Sequence, residues 1–211
     1  DAAGAVAAFE ELLTDRVRVL GPDHTHTLTT RHNLADLRGE AGDAAGAVAA
    51  FEELLDDQVR VLGADHTHTL TTRHCLAGLR GEAGDAAGAV AAFEELLDDQ
   101  VRVLGADHPD TLSTRHCLAG LRGEAGDAAG AVAAFEELLT DRVRVLGPDH
   151  IHTLVTRSHL AYRRGKAGDA AGAVAAFEEL LDDQVRVLGA DHTHTLNTRS
   201  HLAYWSGKAG G

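Results

Sequence analysis

The chain has 211 residues, 33 acidic against 19 basic for a net charge of −14, and is 44% hydrophobic but only 4% aromatic. That balance argues against a nucleic acid partner, whose phosphate backbone most of this surface would repel. No apolar run approaches the ~20 residues of a membrane helix, so the core must be built from Ala, Val and Leu.

The sequence repeats. Asp1, Asp43, Asp85, Asp127 and Asp169 each open a copy of one 42-residue block, and Gly211 is left over. Length alone suggests one or two globular domains; a period of this size points instead to a single array of small units, with repeats 1–42, 43–84, 85–126, 127–168 and 169–210. A doubly wound enzyme or a barrel is excluded. The chain opens directly on repeat sequence with no signal peptide, so a cytoplasmic setting is expected. It contains no Met, which reads as a piece of a longer or processed product.

Each block predicts two helices. In the second block the Ala-rich stretch after Asp43 places Ala47, Val48, Phe51, Leu54, Leu55, Val59 and Leu62 at offsets of three and four, a helical stripe. Asp43 is suited to cap its first turn, and Gly63 to end it in the left-handed conformation. The connector Ala64-Asp65-His66 follows, with Pro22 and Pro148 at its first position in two other blocks. A Thr-rich helix from about Thr67 to Gly81 then carries Leu70, Leu76, Ala77 and Leu79. Neither helix can bury its stripe alone. Stacked antiparallel pairs can, with Phe9, Phe51, Phe93, Phe135 and Phe177 at the centre of the packing. The chain opens on an Ala-rich helix, Asp1 to Leu20, and closes on a Thr-rich one, Thr193 to Lys208.

The stretch from Leu76 to Leu97 resembles the tetratricopeptide repeat. Leu76 and Ala77 stand at the family's first-helix pair, Gly84 at its turn, and Ala89, Phe93 and Leu96 at its second-helix small, aromatic and apolar positions. The period departs from the usual ~34 residues. The extra length lies in the Ala-rich helix and the connector, which resembles the kinesin light chain-like subgroup. That subgroup's Asn-Leu-Ala occurs in full only at Asn33 to Ala35, and its His-Pro-Asp only at His108 to Asp110. Tyr204-Trp205 and the Arg-Gly-Glu-Ala-Gly turns look like repeat arrays of actinobacteria, some attached to signalling NTPases. The resemblance implies an all-α, right-handed α-solenoid of about ten helices. Its concave face, lined by the Thr-rich helices, would bind a peptide or partner protein.

Internal comparison of the blocks locates a candidate surface. The Ala-rich helices are nearly invariant, while the Thr-rich helices vary at four offsets. These are Thr29, Thr71, Ser113, Val155 and Asn197; His32, His74, His116, Ser158 and Ser200; Asn33, Cys75, Cys117, His159 and His201; and Asp36, Gly78, Gly120, Tyr162 and Tyr204. Their spacing of i, i+3, i+4 and i+7 is one helical face. It lies opposite the Leu stripe, so it is expected to be exposed and to bind the partner. It is graded, small and thiol-bearing in blocks two and three, aromatic and His-rich in blocks four and five. Tyr162, Tyr204 and Trp205 are the expected anchors, because aromatics dominate interface hot spots. The fourth block alone is net positive, which favours an acidic ligand there.

Fourteen histidines, with His-x-His after the connector Asp in four blocks, raise a metal reading. A zinc site needs three or four ligands at about 2.0–2.3 Å from the ion, and each block supplies two; the alternative is that the connector His starts the helix. Cys75 and Cys117 occupy equivalent positions of adjacent blocks. Helix axes ~8–10 Å apart do not bring them within the ~7 Å that a disulfide needs. Adjacent residues of a helix diverge too far for a Cys-His dyad. No catalytic triad, paired-carboxylate cleft or phosphate loop is present, so neither an enzyme nor a cofactor is expected. Because the chain opens on one helix type and closes on the other, head-to-tail stacking into an open filament is the alternative to partner capture.

Overall fold

The computed structural model describes residues 2–210, all ten of whose regular elements are α-helices. The Ala-rich helices are α1 (Ala2–Leu20), α3 (Ala44–Leu62), α5 (Ala86–Val103), α7 (Ala128–Leu146) and α9 (Ala170–Leu188). The Thr-rich helices are α2 (Thr25–Glu40), α4 (Thr67–Glu82), α6 (Pro109–Glu124), α8 (Ile151–Lys166) and α10 (Thr193–Ala209). Asp1 and Gly211 lie outside the described residues. The chain divides into two compact units after Val103, α1–α5 and α6–α10.

The caps explain why the elements begin and end where they do. Asp43 accepts from Gly46 N at 2.9 Å, and Asp85, Asp127 and Asp169 do the same in their blocks, so a free first-turn amide is satisfied each time. Gly63 ends α3 with φ 93° and ψ 159°. This corrects the expected left-handed helical geometry. The residue lies in the mirror-extended region, which admits essentially only glycine. The next helix starts on His66, whose Nδ1 accepts from His68 N at 3.1 Å, and Thr69 Oγ1 donates to Gly63 O at 2.9 Å. His24, His108, His150 and His192 cap their helices in the same way.

Successive helices run antiparallel: at one end of the α2–α3 pair Gly39 faces Ala47, and at the other Arg31 meets Asp57. The core is built in three-helix layers. In the first unit Leu28 and Ala35 of α2, Phe51 and Leu54 of α3 and Leu76 of α4 form one cluster. In the second unit Leu112, Ala119, Phe135, Leu138 and Leu160 repeat it on α6, α7 and α8. Within the units α3, α7 and α9 are thus each sandwiched between the Thr-rich helix before and the one after. Val59, expected in the buried stripe, is exposed. Thr69 and Thr72, polar and not expected in it, are fully buried.

An ionic relay runs along the rim of each layer. Asp23 of a connector meets Arg60 at 2.7 Å, Arg60 meets Asp57 at 2.7 Å, and Asp57 meets Arg31 at 2.6 Å. The relay recurs as Asp65–Arg102–Asp99–Arg73, Asp107–Arg144–Asp141–Arg115 and Asp149–Arg186–Asp183–Arg157. Hydrogen bonds from the guanidinium groups hold all eight carboxyls below the usual carboxylate range. These exposed pairs add little stability individually; their effect is to fix which connector lies against which helix.

Phe93→Ala, at a site that is 1% exposed, is expected to cost about 3–5 kcal/mol in urea denaturation. Phe9→Ala is expected to cost clearly less, because Phe9 is only half-buried.

Candidate functional site

The variable face of the Thr-rich helices is not the open surface that its position opposite the leucines predicts. His32 of α2 leans over Phe51, with ring centroids 5.1 Å apart and edge-on, and its Nδ1 lies 3.1 Å from Thr72 Oγ1. His74 meets Phe93 and His116 meets Phe135 in the same way. In the fifth block the preceding helix offers Ser158, and His201 of the following helix stacks on Phe177 instead, at 5.5 Å. The phenyl ring is covered from either side, and the imidazoles are half-buried in consequence.

The remaining site candidates divide. In the first unit Asn33, Asp36 and Thr71 are exposed and Thr29 is half-buried; both Thr hydroxyls donate back to their own helix, at Thr25 O and Thr67 O. Cys75 Sγ lies 4.0 Å from His32 Nε2. In the second unit Ser113, Val155, Tyr162 and His201 are half-buried, and Asn197 and Tyr204 are exposed. Burial raises the Cys117 thiol above its ordinary range, so it is a weak nucleophile. Neither cysteine is in a disulfide. His159 keeps one edge open to solvent, while its enclosed side packs on His116 and Phe135, with centroids 4.6 and 5.8 Å away.

Trp205, expected as an exposed anchor, is a correction. It is 5% exposed and joins Leu154, Ala161, Phe177 and Leu180 in the core. Its ring lies so close to Gly165 that a Cβ there would fall 2.7 Å from it. The signal was present in the repeat, since Trp205 occupies the block position of Leu37, Leu79 and Leu121, which belongs to the apolar stripe. Trp205 instead supports two tyrosines, Tyr162 at 5.9 Å and Tyr204 at 5.0 Å between centroids. Arg163 and Lys166 stand 6.0 and 5.8 Å from the Tyr162 ring. This corner is aromatic and cationic together.

Two equivalent cavities of about 190 Å³ open on the face, one in each unit. Thr29, Gln58 and His68 line the first, and Ser113, Arg142 and His152 take their places in the second. The pivotal residue comes from an Ala-rich helix, which a search of the Thr-rich helices alone overlooks. Its trace in the sequence is the alternation Arg16, Gln58, Gln100, Arg142, Gln184.

Arg142 is 3% exposed and bonds four neutral acceptors: Leu112 O at 3.1 Å, His152 O at 3.0 Å, Thr156 Oγ1 at 2.6 Å and His116 Nδ1 at 3.3 Å. Burial, then the neighbouring His159 and the Arg142 charge, hold His116 at about 3. Burial likewise lowers His32, His152 and His159. Among the described residues no three His, Cys, Asp or Glu converge as metal ligands, and the connector imidazoles spend one nitrogen on capping.

The capped helix pairs, the buried Ala–Phe–Leu stripe and the variable facing helices converge with a family model described as tetratricopeptide repeat, which matches residues 1–58 and 68–142; a second model of the same description matches 153–194. The chain belongs to the tetratricopeptide repeat family. Repeats of this kind mediate protein–protein interactions and are in general non-enzymatic. Among solved structures, the nearly identical TPR-like repeats of a Podosopora anserina chain assigned as a kinesin light chain share 26% identity over 89% of both chains, with a TM-score of 0.74. BtubC (BKLC) from P. vanneervenii shares 16% identity over 100% of this chain and 85% of its own, with a TM-score of 0.82. MamA shares 15% identity over 88% of this chain and 90% of its own, with a TM-score of 0.56. The latter two show likeness of fold alone. No curated protein matches. No described helix is long and apolar enough to cross a membrane.

The buried imidazoles set an acid response. The unfolded chain takes up protons near the ordinary histidine value of about 6.5 while folded His116 stays neutral down to about 3. Stability therefore falls as pH drops below about 6.5, by about 1.4 kcal/mol per pH unit for this one group. Urea denaturation between neutral pH and the onset of carboxylate titration is expected to show this slope, and His116→Gln to flatten it.

Proposed function

We propose that the chain is a non-enzymatic scaffold that binds a peptide segment or partner protein on the face formed by its Thr-rich helices. The observation that carries this reading is that four of the block positions that vary lie together on that face, and that the cavities at Thr29 and Ser113 open on it. The anchors proposed are Tyr204, 49% exposed, and Tyr162, both held by the buried Trp205. In the second unit Ser113, His159, Asn197 and His201 form the polar surround, Val155 adds an apolar side chain, and His116 and Cys117 form the floor; in the first unit Asn33, Asp36 and Thr71 are the outer residues of the face and Thr29, His32, His74 and Cys75 its floor.

Panning a displayed peptide library against the chain supplies a probe of defined sequence. The double variant Tyr162→Ala with Tyr204→Ala is expected to weaken the selected peptide at least about tenfold at unchanged helix content. Unaltered affinity overturns the assignment of the face.

A further inference from the structure

Leu79, Arg163 and Trp205 occupy one position of the repeat, and each faces a glycine of the preceding Thr-rich helix: Gly39, Gly123 and Gly165. They use the space differently. The indole of Trp205 closes on Gly165, where an added Cβ would lie 2.7 Å from it, and the guanidinium of Arg163 closes on Gly123 in the same way, at 2.8 Å. Leu79 brings a methyl group only to 3.8 Å from the equivalent point at Gly39. A cavity of about 260 Å³ is left there, lined by Gly39, Phe51 and Leu79 and by the carboxylate residues Asp36, Glu40 and Glu82.

The slot at Gly123 already holds a flat cation. The Arg163 side chain is 14% exposed, donates to Gly120 O at 2.8 Å and pairs with Glu124 at 3.1 Å. The equivalent acceptors at the open slot are Asp36 O and the Glu40 carboxylate. Two substitutions make the open slot more acidic than the filled one: Asp36 stands where Gly120 has no side chain, and Glu82 stands where the filled slot has Lys166. Both α2 and α4 end there, and the partial negative charge of their C-termini favours a cation. The N-terminus of α3, which borders the cavity at Ala44, is capped by Asp43. Among the described residues no cation answers this charge. Arg38 and Arg80, in the last turns of α2 and α4, are paired with Glu10 and Glu52, and Asp36, Glu40 and Glu82 form no ion pair with another described residue.

We propose that this slot takes the guanidinium of an arginine side chain from the partner, lying flat against Gly39 as Arg163 lies against Gly123. This rests on the reading that the face of the Thr-rich helices binds a peptide or protein, and it adds the chemistry of one recognised residue, since Asp36 belongs to that face. The planar group fits where Gly39 has no Cβ, its forked donors reach Asp36 O and the carboxylates, and its methylene stem rests on Leu79. An ammonium carries the same charge as a compact point, without the flat face or the fork.

The probe is N-acetyl-arginine N-methylamide, titrated into the 211-residue chain and followed by backbone amide chemical shifts in heteronuclear NMR, with the lysine and citrulline analogues beside it. Saturable shifts at Gly39, Glu40 and Glu82 are expected with the arginine probe. The citrulline analogue, neutral and nearly the same shape, is expected to give none, and the lysine analogue to bind at least about tenfold more weakly. Leu79→Trp copies the pair that Trp205 and Gly165 already make, so it is expected to fill the slot at unchanged helix content and abolish the shifts. Glu40→Gln with Glu82→Gln, at exposed positions, is expected to weaken the arginine probe at least about tenfold, and it decides the matter if the tryptophan variant fails to fold. Absence of saturable shifts at these amides, equal binding of the lysine analogue, or shifts that survive either folded variant overturns the inference. The wider reading is judged separately, by the library-selected peptide and the Tyr162 and Tyr204 variant, and stands or falls whatever the arginine probe does.

Discussion

The structure depends on one constraint: the phenyl ring of an Ala-rich helix is fully enclosed by Thr-rich helices on both sides of it, as in α3, α7 and α9. A single helix pair offers the ring one wall. Phe51 reaches zero exposure because Leu28 and Ala35 lie on one side of it and Leu76 on the other. Stability is therefore a property of neighbouring blocks rather than of blocks. This explains why the Ala-rich helices barely differ along the chain, since each must fit the same wall twice.

The same constraint shapes the candidate binding face. A ring that must be walled from both sides recruits whatever the facing helix offers at the edge of the layer, and here that is imidazole. His32, His74 and His116 cover the ring from the preceding helix; where Ser158 withdraws, His201 covers it from the following one. The histidines are thus part of the packing, and burial keeps His32 and His116 below the ordinary imidazole range. The Tyr162–Tyr204 corner is open to a ligand because Trp205 has gone into the core beneath it, leaving two aromatic rings supported from below and bordered by Arg163 and Lys166.

Register along the rim has a separate cause. Apolar packing of Ala, Leu and Phe is tolerant of small displacements, whereas a relay of alternating Asp and Arg matches in one alignment. Asp23, Arg60, Asp57 and Arg31 add little energy as exposed pairs, yet together they specify which connector lies against which helix. The same logic applies to Arg142, a buried guanidinium answered only by carbonyls, a hydroxyl and an imidazole. It gives the fourth block's cavity a positive character that Gln58 does not give the first unit's.

The sequence by itself determined the helices, their pairing and their core. Period, stripe and caps are local or strictly repeated, so Asp43 and Gly63 place α3 to within a residue and Phe93 identifies itself as central. What it could not determine was the depth of the residues on the variable face, because helical periodicity assigns a direction and burial depends on how far the neighbouring helix reaches. That is why the helical period points His32 outward although it is half-covered, and points Trp205 to the surface although it is core, its kinship with Leu79 in the repeat notwithstanding. Only the tertiary structure decided the role of Arg142, since its acceptors come from two other helices: Leu112 on α6, and His152 and Thr156 on α8, around a side chain carried by α7. Which side chains of neighbouring helices meet is not written in the period of the repeat.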